Sequence, residues 1–325
     1  MILGIESSCD DSAIAIIDSK TLEVIFEKKL SQDEEHAKYG GVVPELASRL
    51  HAEALPNILD SAKEFLPKIK AIAVTIEPGL LITLLEGVTM AKMLSVCLNV
   101  PIIGVNHLMG HIYSLFINCE TKFPLGVLIA SGGHTQLMEV NGYNSGKIWA
   151  KTLDDSVGEA FDKCAKMMGL GYPGGPLIES FAKDGDENTY HLTLPLAGPK
   201  HAFSYSGIKN GVRLLVEQGA DVNNLSASFQ RVAINHLLDK TERFFKSVKL
   251  ERFAVVGGVS ANKVLRERLE ALCNKYGIEL LTPNMKYSMD NAVMIARAGV
   301  DALNLGLVCK DALALEPKAT SEIFG

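Results

Sequence analysis

The chain has no CxxC pair, no low-complexity tract, a single tryptophan and only 22% charged residues. Its six cysteines, Cys9, Cys97, Cys119, Cys164, Cys273 and Cys309, stand singly in or beside apolar segments. That scatter excludes a zinc knuckle or disulfide scaffold and predicts reduced core thiols. Long apolar runs are also missing. AIAVTIEPGLLITLL and SVCLNVPIIGV are broken by Glu77, Pro78, Asn99 and Pro101, so neither supplies the ~20 apolar residues of a membrane span. The start, MILGIESSCDD, lacks a basic leader and carries Glu6, Asp10 and Asp11 where a signal peptide is apolar. A cytoplasmic protein with no membrane association is expected. A net charge of −6 argues against broad electrostatic adhesion to nucleic acid, although a local basic patch or a partner could present an RNA.

What is present is a large core: 47% of the 325 residues are apolar, and chains beyond ~250 residues tend to split into two. ILGIES, AIAIID and LEVIFEKKL read as a three-strand meander. Leu55, Ile58, Leu59, Ala62, Phe65 and Leu66 follow at helical spacing, with Pro56 as a kink or a fresh start. AIAVT, an apolar helix in LLEGVTMAKMLSVCL and a strand in PIIGV complete a βββαβα order. LGVLIA, QLMEV and KIWAKTL begin the same order again. The fold class is therefore α/β, with two lobes of duplicated βββαβα topology around a central cleft, the default place for a ligand. The lobes are expected at 1–110, completed by a C-terminal helix near 291–325, and at 111–290, with a turn-rich insertion at 170–224.

Chemistry gathers at three places. His107 and His111 in VNHLMGH lie four apart, which on a helix points both imidazoles to one side, as a transition metal requires; the plain alternative is a pair that packs a helix start. SGGHT at 131–135 and GGVSAN at 257–262 are glycine-rich loops that let backbone N–H groups approach phosphate. In SGGHT, Gly132 and Gly133 permit positive φ in a hairpin turn, and His134 is more than a turn needs.

GIESSCDDSAIAIID, KYGGVVPELASR, NHLMGH, SGGHTQL, GEAFDKCAKMMGLGYPGGP, FSYSGIK, GGVSANKVLRERL and MDNAVMIARAG, in that order along nearly the whole chain, resemble the bacterial TsaD family, the tRNA adenosine threonylcarbamoyltransferases. The resemblance implies two RNase H-like lobes of actin and Hsp70 type. It implies transfer of a threonylcarbamoyl group from threonylcarbamoyl-AMP to N6 of adenosine 37 in tRNAs reading codons that begin with A. It also implies one divalent ion, Fe(II) or Zn(II), held by His107, His111 and Asp290, three ligands with positions left open as in catalytic sites. Asp290 could instead cap the helix that follows it. Substrate contacts carried over residue by residue are Ala130, Ser131, Gly132, Gly133, His134, Asp162, Gly175, Glu179 and Asn262. Asp162 would accept the ribose hydroxyls and Asn262 would pair with base or sugar, with Gly257 and Gly258 letting the strand end approach the adenine.

Asp10 is a candidate for helping proton removal from N6 or ordering a water, or else an Asx-turn residue. Partners implied are tRNA, a shorter paralogue of the same fold that could use helix 86–98, and a small P-loop ATPase. Lys200, Lys209, Arg213 and Lys286 could form a basic rim for RNA. Two other activities compete. A metal-dependent glycoprotein endopeptidase would need a general base inside the histidine motif, where Leu108 stands. A nucleotide-dependent chaperone or kinase of the same superfamily would not need the histidine pair. One departure from the family pattern is IEPGLLITLLEG, in which Glu77, Ile82 and Thr83 replace small residues.

Overall fold

A computed structural model describes residues 1–198 and 200–324. In chain order the elements are β1 (Ile2–Glu6), β2 (Asp11–Ile17), β3 (Val24–Ser31), α1 (Asp33–Ala37), α2 (Pro44–Asp60), β4 (Ala71–Glu77), α3 (Leu81–Leu98), β5 (Ile102–Asn106) and α4 (His107–Tyr113). Next come β6 (Leu125–Ala130), β7 (Thr135–Gly142), β8 (Ser145–Thr152), α5 (Val157–Met167), α6 (Gly174–Ala182), β9 (Ala202–Phe203), α7 (Ser206–Glu217) and α8 (Val222–Ser247). The series ends with β10 (Arg252–Val256), α9 (Lys263–Tyr276), β11 (Glu279–Leu281) and α10 (Ala292–Asn304).

Two compact units emerge, one formed by Met1–Lys122 together with the chain from Pro283 onward, the other by Phe123–Thr282. In the first the sheet order is β3-β2-β1-β4-β5, and in the second β11-β10-β6-β7-β8-β9. In each, the opening meander is antiparallel and the later strands join in parallel, which is the duplicated RNase H-like order expected. The extra edge strand β9 comes from the insertion and pairs with β8. β1 and β2 are buried along their whole length, the continuous apolar run of an inner strand, whereas the outer strand β3 is mostly exposed.

The units part at 122 and 283 rather than at 110 and 290. The cause is Arg297 of α10, only 1% exposed, whose Nε donates to Phe116 O at 2.9 Å and whose Nη2 donates to Cys119 O and Thr121 Oγ1 at 3.2 and 2.8 Å. Those bonds tie the stretch after α4 to the first unit. Three other expectations change. α2 runs unbroken through Pro56. Only Cys164 and Cys273 are buried, while Cys97 and Cys119 are exposed. α3 is by length and composition apolar enough to cross a membrane, because Glu77, Pro78, Asn99 and Pro101 flank the helix instead of interrupting it. Its inner face, including Leu84, Val88, Ala91 and Leu94, is core, and Asn99 in the left-handed conformation ends it.

Helix α10 lies across β1 and β4 at two glycines. A Cβ on Gly4 would stand 2.7 Å from Ala296 N, and one on Gly299 would stand 2.5 Å from Ala73 Cβ. The close approach brings helix backbone against strand backbone. In the second unit, His236 Nε2 accepts from Ser204 N at 3.1 Å and fixes the start of α7. Burial, with Lys240 nearby, lowers the imidazole pKa to about 4.

Two measurements follow from this packing. Gly4→Ala should lower the unfolding free energy by about 1–3 kcal/mol, whereas Gly207→Ala, with open space at its Cβ, should leave it unchanged or raise it by less than about 1 kcal/mol; denaturant titration reads both. His236 should remain a neutral imidazole at pH 5 by 15N NMR. Because the unfolded ring takes its proton near 6.5 and the folded ring near 4, the folded state loses stability as pH falls through that window.

Candidate functional site

In the first unit, Asn106 ends β5 and caps α4, its side-chain oxygen accepting from Leu108 N at 2.9 Å and Met109 N at 3.4 Å. That cap makes His107 the first helical residue and places His111 one turn on, with the ring centroids 4.6 Å apart. Asp290 is not a cap. Asn291 accepts from Met294 N at 2.9 Å and starts α10, so the neighbouring carboxylate is free to face the imidazoles. Asp290 Oδ1 lies 3.1 Å from His111 Nε2 and 3.5 Å from His107 Nε2, and among the described residues these three offer donor atoms all within 4.8 Å of one another.

Two donors each ~2.1 Å from a tetrahedral ion are roughly 3.4 Å apart, so the carboxylate-to-imidazole spacings fit an ion. The angles agree. His111 is fully buried, and neither of its ring nitrogens makes a hydrogen bond; the 3.1 Å approach to Asp290 is ion-pair contact with the wrong direction for one. A buried nitrogen without such a partner is costly, and a cation bound there would remove the cost.

Behind His107 stands Glu6, a residue the sequence reading passed over. Its Oε2 lies 3.2 Å from His107 Nδ1 and accepts from Thr75 Oγ1 at 2.6 Å, while Oε1 accepts from Ser8 N at 2.7 Å. Ser8 Oγ also reaches His107 Nδ1 at 3.2 Å. A carboxylate on the far nitrogen fixes the ring and leaves Nε2 for a metal. Burial alone would make His107 less basic, but Asp290 and Glu6 outweigh it and hold its pKa well above the usual value. Burial would likewise raise Asp290, and the two imidazoles override it and hold the carboxyl well below the usual range. The signal for Glu6 was a lone acid ending the wholly apolar run ILGI.

Asp10 is half-buried beside this cluster, and burial raises its carboxyl pKa. Asp11, which points into the same unit, is tied to Lys29 Nζ at 2.8 Å, and Lys29 also donates to Asp290 O at 3.3 Å. The substituted loop IEPGLLIT is orderly. Glu77 stands 3.7 Å from Lys318 Nζ, Thr83 Oγ1 donates to Leu80 O, Ser7 Oγ donates to Thr83 O, and Leu80 N donates to Ser8 O.

The second unit holds the remaining candidates. Ala130 ends β6, and the turn after it is closed by Ser131 N to His134 O at 2.9 Å and by His134 N to Ser131 Oγ at 3.1 Å. Gly132 and Gly133 do not take positive φ; the expected backbone freedom is unused, and what they provide is room, since nothing lies within 4 Å of a Cβ on either. Gly175 is equally open. Gly257 does take positive φ (91°), but its space is filled by Ala130 O at 2.6 Å, so strand packing demands that glycine. Asp162 Oδ1 accepts from Gly174 N at 2.7 Å. Asn262 caps α9 through Leu265 N at 2.9 Å and donates to Gln230 Oε1 at 2.9 Å, and Glu179 Oε1 accepts from Lys263 N at 3.0 Å. One oxygen of each acid and both ends of the Asn262 amide thus hold backbone or neighbour. A cavity of about 440 Å³ opens beside Glu179, Gln230, Arg231 and Lys263.

Three of the four candidate rim residues are ion-paired, and the fourth, Lys200, is exposed. Lys209 is largely buried against Asp155 and Arg213 pairs with Glu217, whereas Lys286 lies in the first unit and pairs there with Glu27.

Comparison with known proteins gives this geometry its setting. The family model described as "tRNA N6-adenosine threonylcarbamoyltransferase" matches residues 23–297. Proteins of that name from Sulfurimonas denitrificans and from Nitratiruptor sp. are 57% and 56% identical, over 93% and 98% of this chain and 94% and 99% of theirs. Among solved structures, full-length HypF in its phosphate- and nucleotide-bound form aligns at TM-score 0.62 and 16% identity, over 98% of this chain and 56% of that one. An activator of 2-hydroxyisocaproyl-CoA dehydratase from Clostridium difficile, with bound ADPNP, aligns at 0.56 and 12%, over 94% and 96%. At those identities the structures show only the fold, of actin and Hsp70 type. The near-full-length matches establish that the chain belongs to the tRNA N6-adenosine threonylcarbamoyltransferases, transferases that modify tRNA.

Proposed function

We propose that the donor is threonylcarbamoyl-AMP, that the acceptor is N6 of adenosine 37 in tRNAs reading ANN codons, and that His107, His111 and Asp290 hold one divalent ion, Fe(II) or Zn(II). The observation that carries the metal assignment is the fully buried His111, whose nitrogens lack hydrogen bonds while Asp290 Oδ1 stands 3.1 Å away. When bound, such an ion supplies Lewis-acid polarisation of the threonylcarbamoyl oxygens.

A mixed anhydride carries its own activation, so the protein's task is positioning and charge stabilisation. The 131–134 turn offers open backbone at Gly132 and Gly133 for phosphate, and Asp162, Gly175, Glu179 and Asn262 lie along the second unit as contacts for the adenosine part. Asp10, whose carboxyl burial makes more basic, takes the proton from N6 or orders the water that does. A peptidase reading gains nothing from Glu6, the carboxylate at the histidine pair, because both its oxygens are already bonded. The exposed apolar residues Leu81, Leu85, Met93 and Val96 along α3 support docking of a shorter paralogue on this helix, with a small P-loop ATPase completing the assembly.

The activity is tested by incubating the purified chain, its partner proteins, unmodified tRNA, threonine, bicarbonate and ATP, then reading tRNA nucleosides by mass spectrometry. Threonylcarbamoyladenosine should form with the unaltered chain. The double variant His107→Ala/His111→Ala should lose bound metal and at least ~100-fold of the activity, with its circular dichroism unchanged; full turnover by this variant in the presence of a chelator would remove the metal from the reaction. Glu6→Gln should weaken metal retention by about 10- to 100-fold, measured by competition with a chromogenic chelator.

A further inference from the structure

A buried line of four polar side chains in the first unit has no part in the chemistry so far described. His36, Gln32, Ser12 and His51 are 0, 5, 0 and 0% exposed. Val43 N donates to His36 Nδ1 at 3.2 Å, which leaves the ring proton on Nε2, 3.0 Å from Gln32 Oε1. The Gln32 amide then donates from Nε2 to Ser12 Oγ and to Ala47 O, both at 3.4 Å. Ser12 Oγ lies 2.7 Å from His51 Nδ1, and His51 Nε2 donates to Cys9 O at 3.0 Å. Burial keeps His51 neutral by lowering its pKa, so the Ser12 hydroxyl is the donor to Nδ1. Every proton in the line points the same way, from the backbone before α2 to the carbonyl of Cys9. The next carbonyl, Asp10 O, is held by Gln32 N at 3.1 Å.

Such a line is expensive to bury unless complete, and a simple brace for β2 and α2 would be served by apolar side chains. Its end lies on the peptide that carries Asp10. The other side of the same turn is fixed by Ser8, which bonds His107. We infer that His36, Gln32, Ser12 and His51 are positioning residues, which set the Cys9–Asp10 peptide and thereby the direction of the Asp10 carboxyl. This rests on the reading of Asp10 as the group that serves the N6 proton. The other end of the line is the segment 37–43, whose backbone turns on His36 O through Tyr39 N and Gly41 N, so the carboxyl is mechanically tied to that surface segment.

The test uses the full metal-loaded chain with its partners, measuring kcat and the KM for tRNA. His51→Leu should lower kcat by roughly 10- to 100-fold with KM within about twofold. His51→Gln, whose amide can still reach Cys9 O as Nε2 does, should recover most of the loss, whereas His51→Asn, which matches only the Nδ1 side, should not. Should the leucine variant fail to fold, the Gln and Asn pair still decides. In an Asp10→Ala background His51→Leu should cost no further activity. An unchanged kcat with only a lowered melting temperature would make the line a structural brace and overturn the inference, as would an undiminished loss in the Asp10→Ala background. Full activity of Asp10→Ala alone would overturn the reading of Asp10 itself, and with it this role for the line.

Discussion

The candidate metal centre depends on which of two neighbouring residues holds the first turn of α10. A buried helix start such as that of α10 leaves its first N–H groups without water as acceptor, and either Asp290 or Asn291 has a side chain able to accept one. Because Asn291 takes that task, Asp290 keeps its charge and its lone pairs for His107 and His111. The helix that delivers this carboxylate is itself located by two glycines, Gly4 and Gly299, and by the buried guanidinium of Arg297. Cap, glycines and guanidinium together set where one oxygen atom sits.

The same region concentrates charge that a protein interior ordinarily excludes. Glu6 and Asp290 flank His107 on its two nitrogens, and Asp10 and Asp11 stand nearby. Taking so many acids out of water is costly unless positive charge answers them. Lys29 and the imidazoles supply part of it, and burial first, with the Asp290 charge after it, raises the carboxyl pKa of Asp10 and of Asp11. The first unit thus gathers carboxylates around the histidine pair, with Asp290 at a spacing from the imidazoles that fits an ion.

Much of this was legible in the sequence. The meanders and the repeat follow from apolar runs and turn residues, and the i, i+4 histidines stand on a helix as their spacing requires. What was hidden is what adjacent residues cannot disclose about one another: capping passes between Asp290 and Asn291 by a single position. Glu6 gave only the trace of an acid closing an apolar strand. Gly132, Gly133 and Gly257 read alike, yet two leave space and the third is forced by the carbonyl of Ala130. Lys209 read as surface charge because its partner, Asp155, is remote in sequence and meets it only after α5, which follows Asp155, packs against α7.

The way the first unit is stitched from both ends of the chain bears on how the polypeptide matures. The second unit is one uninterrupted stretch, and its strands can pair as soon as it leaves the ribosome. The first must wait: β1 and β4 present Gly4 and Ala73 to a helix still unsynthesised while more than half of the chain is made. Asp290 emerges immediately ahead of that helix. Vectorial synthesis therefore leaves the cluster of His107, His111 and Asp290 incomplete until the polypeptide has passed the whole of the second unit.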